Sequence, residues 1–137
     1  MPAAIDFTTQ ARLITTAEQE RAVTARLSYL PDDPLAVRIA FPPEVSLDRT
    51  HVTWVFAREL LDVGLSAPAG DGDVRLWPFG PGRTVIEFHA PEGVAVVEFS
   101  TTDLGRFLQE TYTTVPVEDE SRLLALDRGL AALLRRV

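Results

Sequence analysis

Apolar and polar residues alternate with a period of two through much of the first half of the chain. The pattern holds over residues 7–13 and 23–30, and again where Leu35, Val37, Ile39 and Phe41 are interleaved with Ala36, Arg38 and Ala40. Side chains of a strand point to opposite faces in turn, so this alternation predicts three half-buried strands. Pro31-Asp32-Asp33-Pro34 separates the second from the third as a turn, and Pro42-Pro43 ends the third. A fourth strand is expected over residues 52–55. The period then changes: Phe56, Leu60, Leu61 and Gly64 fit a helix of about two turns, with Gly64 expected to take a left-handed cap. Beyond the Ala69-Gly70-Asp71-Gly72 loop, residues 73–79, 84–90 and 94–99 read as three more strands. Gly80-Pro81-Gly82 and Pro91-Glu92-Gly93 have the length and composition of tight hairpin connections between them.

Ser100 and Asp103 carry the Ser-x-x-Asp signature of a helix start, in which the hydroxyl caps an orphan amide and the carboxylate reaches back. Leu104, Phe107, Leu108 and Tyr112 supply that helix with an apolar stripe, and Pro116 breaks it. Glu118-Asp119-Glu120 would open a terminal helix ending at Arg135-Arg136, with charges matched to its dipole. Leu123, Leu126, Leu130, Leu133 and Val137 form its apolar face. Strands leading through Phe56 and through Phe99 into a helix suggest a faint internal repeat. The expected fold class is α+β: a largely antiparallel sheet of about seven strands packed by helices, in a single domain over residues 1–137.

Composition narrows the function more by exclusion than by indication. A chain of 137 residues buries enough surface to fold without a disulfide or metal. It has no cysteine, which removes thiolate chemistry and thiolate metal sites. No apolar run approaches the roughly 20 residues of a membrane span, and Met1-Pro2-Ala3-Ala4-Ile5-Asp6 does not resemble an export signal, so a cytoplasmic location is expected. All 13 basic residues are arginine, which a GC-rich genome explains without invoking phosphate recognition. The net charge of −7 repels polyanions and anionic membranes.

Candidate chemistry is sparse. His51 and His89 stand apart on separate strands, neither with a second ligand at a suitable spacing, so no metal site is expected. Glu87 and Glu98 fall on neighbouring strands and invite an acid–base pairing, but polar neighbours such as Thr84 and His89 favour a hydrated sheet face. The Gly70-Asp71-Gly72-Asp73 loop lacks a following Lys-Ser/Thr, and its aspartates would repel a phosphate. Arg12, Arg26 and Arg38 occupy the polar phase of the first three strands, with Arg75 extending the row and Trp77 in phase with it. This is the layout of a single-stranded nucleic-acid platform, the alternative functional reading. The terminal leucine stripe is available to pack on the sheet or against a second copy.

The order and spacing of several segments resemble the SsgA-like proteins, small actinobacterial factors of sporulation-specific cell division. They are Trp54-Val55-Phe56-Ala57-Arg58-Glu59-Leu60-Leu61, Gly64-Leu65, Gly72-Asp73-Val74-Arg75-Leu76-Trp77-Pro78 and Pro91-Glu92-Gly93, preceded by Asp33-Pro34-Leu35-Ala36-Val37. The resemblance implies a non-enzymatic factor with no cofactor, recruited to the division septum. It would help recruit or activate the FtsZ ring through contacts with FtsZ, its recruiters or another SsgA-like protein. It also implies a whirly-like fold assembled as a homo-oligomer, a trimer. Within the motif, Trp54, Phe56, Leu60 and Trp77 are expected in the core, with Gly64, Gly72 and Pro78 shaping the backbone. Arg58 and Glu59 are expected to be exposed and to contact the partner, so that Arg58→Ala would spare the fold and Trp54→Ala would not.

Overall fold

In the computed structural model, residues 4–14, 20–43 and 52–119 are described. The alternating segments form strands β1 (Ile5–Ile14), β2 (Glu20–Tyr29), β3 (Ala36–Phe41) and β4 (Val52–Ala57), followed by helix α1 (Arg58–Gly64). Strands β5 (Val74–Pro78), β6 (Arg83–Ala90) and β7 (Gly93–Ser100) follow, and then helix α2 (Thr101–Thr114). The expected terminal helix beyond Glu118 and Asp119, with its leucine face, lies outside the described residues, as does His51.

The seven strands make one sheet in the order β4-β3-β2-β1-β7-β6-β5, every neighbour antiparallel. Two meanders, each followed by a helix, are therefore joined edge to edge through β1 and β7. Alternation decides which face is dry. Ala25 and Leu27 on β2, Val37 and Ile39 on β3, Leu76 on β5 and Ile86 on β6 turn to one side and are buried, with the helices on the same side. Closure of the sheet toward a barrel brings distant strands together: the rings of Trp54 on β4 and Phe41 on β3 lie 5.2 and 5.4 Å from that of Phe88 on β6. Aromatic pairs at this separation add to the apolar burial that draws the two halves of the sheet together.

α1 carries the chain from β4 to β5 across the interior. Its seven residues are too few for a stable helix in isolation, so packing must hold it. Leu61 is fully buried, and Gly64 lies where an added Cβ would come within 2.6 Å of Leu76 Cβ. The expectation that Gly64 serves as a left-handed cap is corrected: it is the last helical residue, Leu65 follows in right-handed geometry, and Gly64 is absent from the positive-φ glycines. Its small size is needed for close approach to β5, not for a turn. Positive φ falls instead on Gly70, Gly80, Gly82 and Gly93, the last three at the two hairpins.

α2 begins as the sequence predicts, with the Ser100 hydroxyl accepting from the Asp103 amide at 3.2 Å. The Asp103 carboxylate, however, is used across the sheet, accepting from the Thr9 hydroxyl at 2.7 Å. This ties the helix start to β1. Leu104, Phe107 and Leu108 are buried against the sheet.

Candidate functional site

The junction of β4 with α1 holds the residue whose placement departs furthest from expectation. Arg58 is fully buried, not exposed. Its amide donates to the Leu35 carbonyl at 2.8 Å. Its Nη1 donates to the Tyr29 hydroxyl at 3.1 Å, to the Thr111 carbonyl at 3.1 Å and to the Val115 carbonyl at 2.7 Å. The guanidinium lies 4.4 Å from the ring centre of Tyr112 and 5.3 Å from that of Tyr29. Tyr29 in turn donates to the Pro34 carbonyl at 3.0 Å. One cation thus joins β2, the turn before β3, the start of α1 and the end of α2. The last turn of α2 has no basic residue of its own, and Arg58 brings positive charge to its negative dipole end from elsewhere in the chain. A side chain with no surface makes no direct partner contact, so that expectation for Arg58 is corrected. The motif arginine belongs to the scaffold.

Glu59, by contrast, is exposed on the outer side of α1. Next to it on that helix, Asp62 accepts from the Tyr112 hydroxyl at 2.9 Å. Asp62, Tyr112, Pro116, Val117 and Glu118 line a shallow hollow of about 330 Å³ between α1 and the end of α2. Val117 leaves 56% of its surface open there, and Val63, which follows Asp62 on α1, is 45% exposed. Sequence reasoning passed over this surface. Its signal was present in Val117, an apolar residue set between proline and acids.

The arginine row forms as the strand phases require. Arg12, Arg26, Arg38 and Arg75 all lie on the sheet face opposite the core. Carboxylates occupy the same face. Asp6 binds Arg26 through both oxygens, at 2.6 and 2.5 Å, and this hydrogen-bonded contact with the guanidinium holds the Asp6 carboxyl below the usual carboxylate range. Arg38 pairs with Asp33 at 3.0 Å, Arg12 is in register with Glu98, and Arg75 is in register with Glu87. A phosphate chain crossing this face would meet carboxylates beside each cation, which weakens the charge argument for nucleic acid. Trp77 belongs here too: its register with Val85 turns it away from the core and leaves it half-buried, correcting the expectation of a core residue. Trp54, Phe56 and Leu60 do pack with the core.

Gly72 has open space around it and no positive φ, so no steric demand for glycine acts there, and Pro78 is an exposed strand end. Glu87 and Glu98 share a face without forming a dyad. Glu98 takes a bond from Arg83 at 2.6 Å, and Glu87 contacts the His89 ring at 3.0 Å. No group of three potential metal ligands converges among the described residues. No helix among them is long and apolar enough to cross a membrane.

Against known proteins, the family model described as "Streptomyces sporulation and cell division protein, SsgA" matches residues 23–120. The sporulation-specific cell division protein SsgB of Salinispora tropica is 38% identical over 97% of this chain and 94% of its own length. SsgB of Streptomyces coelicolor is 40% identical over 90% of each chain. The crystal structure of an SsgA-like sporulation-specific cell division protein from Thermobifida fusca superposes with a TM-score of 0.80 at 36% identity, covering 96% of both chains. The motif around α1, the seven-stranded antiparallel sheet and these matches agree, and the chain belongs to the SsgA-like family of sporulation and cell division proteins.

Proposed function

We propose that this protein is a non-enzymatic recruiter in sporulation-specific septation, bringing or activating the FtsZ ring at the division septum through protein contacts. The reading rests on family membership together with one structural observation. The motif helix turns Arg58 inward as a fastening and turns Glu59, Asp62 and Val63 outward, so the motif presents a surface as well as a scaffold. An exposed charged and apolar surface on a packed element suits protein recognition without requiring catalysis. The chain acts as one domain, assembled as a trimer, with no cofactor.

Purified full-length protein should pellet saturably with polymerised FtsZ from the same host at physiological salt. Glu59→Lys should weaken that pelleting several-fold while leaving the unfolding transition unchanged. If the wild-type protein stays in the supernatant, direct FtsZ binding is wrong and a recruiting partner takes its place. Light scattering on the eluting peak should give three times the 15.1 kDa chain mass. A monomer mass would remove the trimer from the proposal.

A further inference from the structure

We infer that the hollow between α1 and the end of α2 is a docking site for a protein segment that presents an arginine or lysine beside an apolar side chain. The inference rests on the reading that this protein works through protein contacts, and it specifies what the contact recognises.

The apolar lining is Tyr112, Pro116 and Val117, the last with 56% of its surface open. Among the described residues the charged lining is of one sign, Asp62 and Glu118. Asp62 is held in position by the Tyr112 hydroxyl at 2.9 Å, which fixes a carboxylate before any ligand arrives. Arg58 lies over one face of the Tyr112 ring and is itself fully buried, so it supports the wall without lining the hollow. At about 330 Å³ the space lies at the low end of the roughly 300–1,000 Å³ of small-ligand pockets, which suits one or two side chains and not a whole helix. A long cationic side chain with an apolar stem matches such a site because its stem covers apolar surface while its head reaches the carboxylates.

The test uses the full chain and three short fluorescent peptides: cationic with leucine, cationic with glycine in place of leucine, and anionic with leucine. The first should bind tightest. Asp62→Asn keeps an acceptor for Tyr112 while removing charge, and with Glu118→Gln it should weaken that binding about ten-fold, at roughly three- to five-fold per charge. Val117→Ser should weaken it by a similar single step. Glu92→Gln, an equal charge change at the exposed β6–β7 hairpin, should leave it unchanged. Equal affinity for all three peptides, or equal losses from Glu92→Gln and Asp62→Asn, would overturn the site by reducing it to the general field of an acidic protein. The two readings fail separately. Loss of wild-type pelleting with FtsZ leaves peptide selectivity intact, whereas loss of peptide selectivity with pelleting intact removes the hollow alone.

Discussion

Replacing Arg58 with alanine is expected to lower the free energy of unfolding by about 3–4 kcal/mol. The change removes a charged donor from two buried carbonyls and a buried phenol, and each such hydrogen bond is worth roughly 1.5–3 kcal/mol when one partner is ionised. The losses do not simply add. The Thr111 carbonyl retains the Val115 amide at 2.8 Å and Tyr29 retains Pro34, so the main orphan is the Val115 carbonyl. The side chain also vacates the space between Tyr29 and Tyr112. For a chain of this length the loss corresponds to a fall in Tm of roughly 10–15 °C. Arg58→Lys should recover less than half of it, because the shorter ammonium side chain keeps the charge but loses the planar guanidinium that lies against Tyr112 while its Nη1 reaches Tyr29 and the end of α2. Thermal and urea denaturation followed by circular dichroism would measure both variants. A midpoint for Arg58→Ala within error of the wild type would show that α2 is held without it. Where the destabilisation is found, a division defect of an Arg58 variant is read as a folding defect first, whereas a defect from Glu59 would speak for contact.

Gly64→Ala is expected to destabilise by about 1–2 kcal/mol although alanine is the better helix former. Replacing glycine within a helix ordinarily gains about 1 kcal/mol, but overpacking a filled core costs roughly 1–3 kcal/mol. Here the new methyl would lie 2.6 Å from Leu76 Cβ, with Leu76 Cγ and Cδ2 at 3.3 and 3.1 Å. Leu76 is fully buried on β5 and its Cβ is fixed by the strand backbone, so the clash is relieved only if α1 moves away from the sheet. Truncation of Leu76 to alanine therefore should not rescue Gly64→Ala, since the nearest atom remains. A double-mutant cycle in urea denaturation would test this. Stabilisation by Gly64→Ala, or full rescue by Leu76→Ala, would show that α1 and β5 have room to spare.

The elements themselves were legible because alternation and its interruption are local. Residues such as Val37, Ile39 and Phe41 need only a period of two to announce a strand, and the signals at Gly80-Pro81-Gly82 and Pro91-Glu92-Gly93 need only their own backbone preferences. The Ser100 cap was readable for the same reason. The phase of each strand also placed Arg12, Arg26, Arg38 and Arg75 on one face correctly. What the phase does not carry is the neighbour: that Asp6 binds Arg26 and that Glu98 stands opposite Arg12 follows from register and strand order, which join residues far apart in the chain.

The same limit explains two of the misplaced motif residues, Arg58 and Gly64. Arg58 was expected outside because an arginine in a short helix is ordinarily solvated. Its burial depends on carbonyls from Thr111 and Val115, more than fifty residues later, whose need for a cation arises only when α2 ends beside α1. Gly64 resembled a helix stop because a glycine after a periodic run ordinarily is one, and only the approach of Leu76 reveals that its missing Cβ is what matters. Local pattern and motif order determined the elements, the fold class and the family of this protein, since those depend on side-chain period and backbone preference. Tertiary structure decided which motif residues are fastenings and which are surface, because burial and charge compensation are set by partners that sequence distance hides.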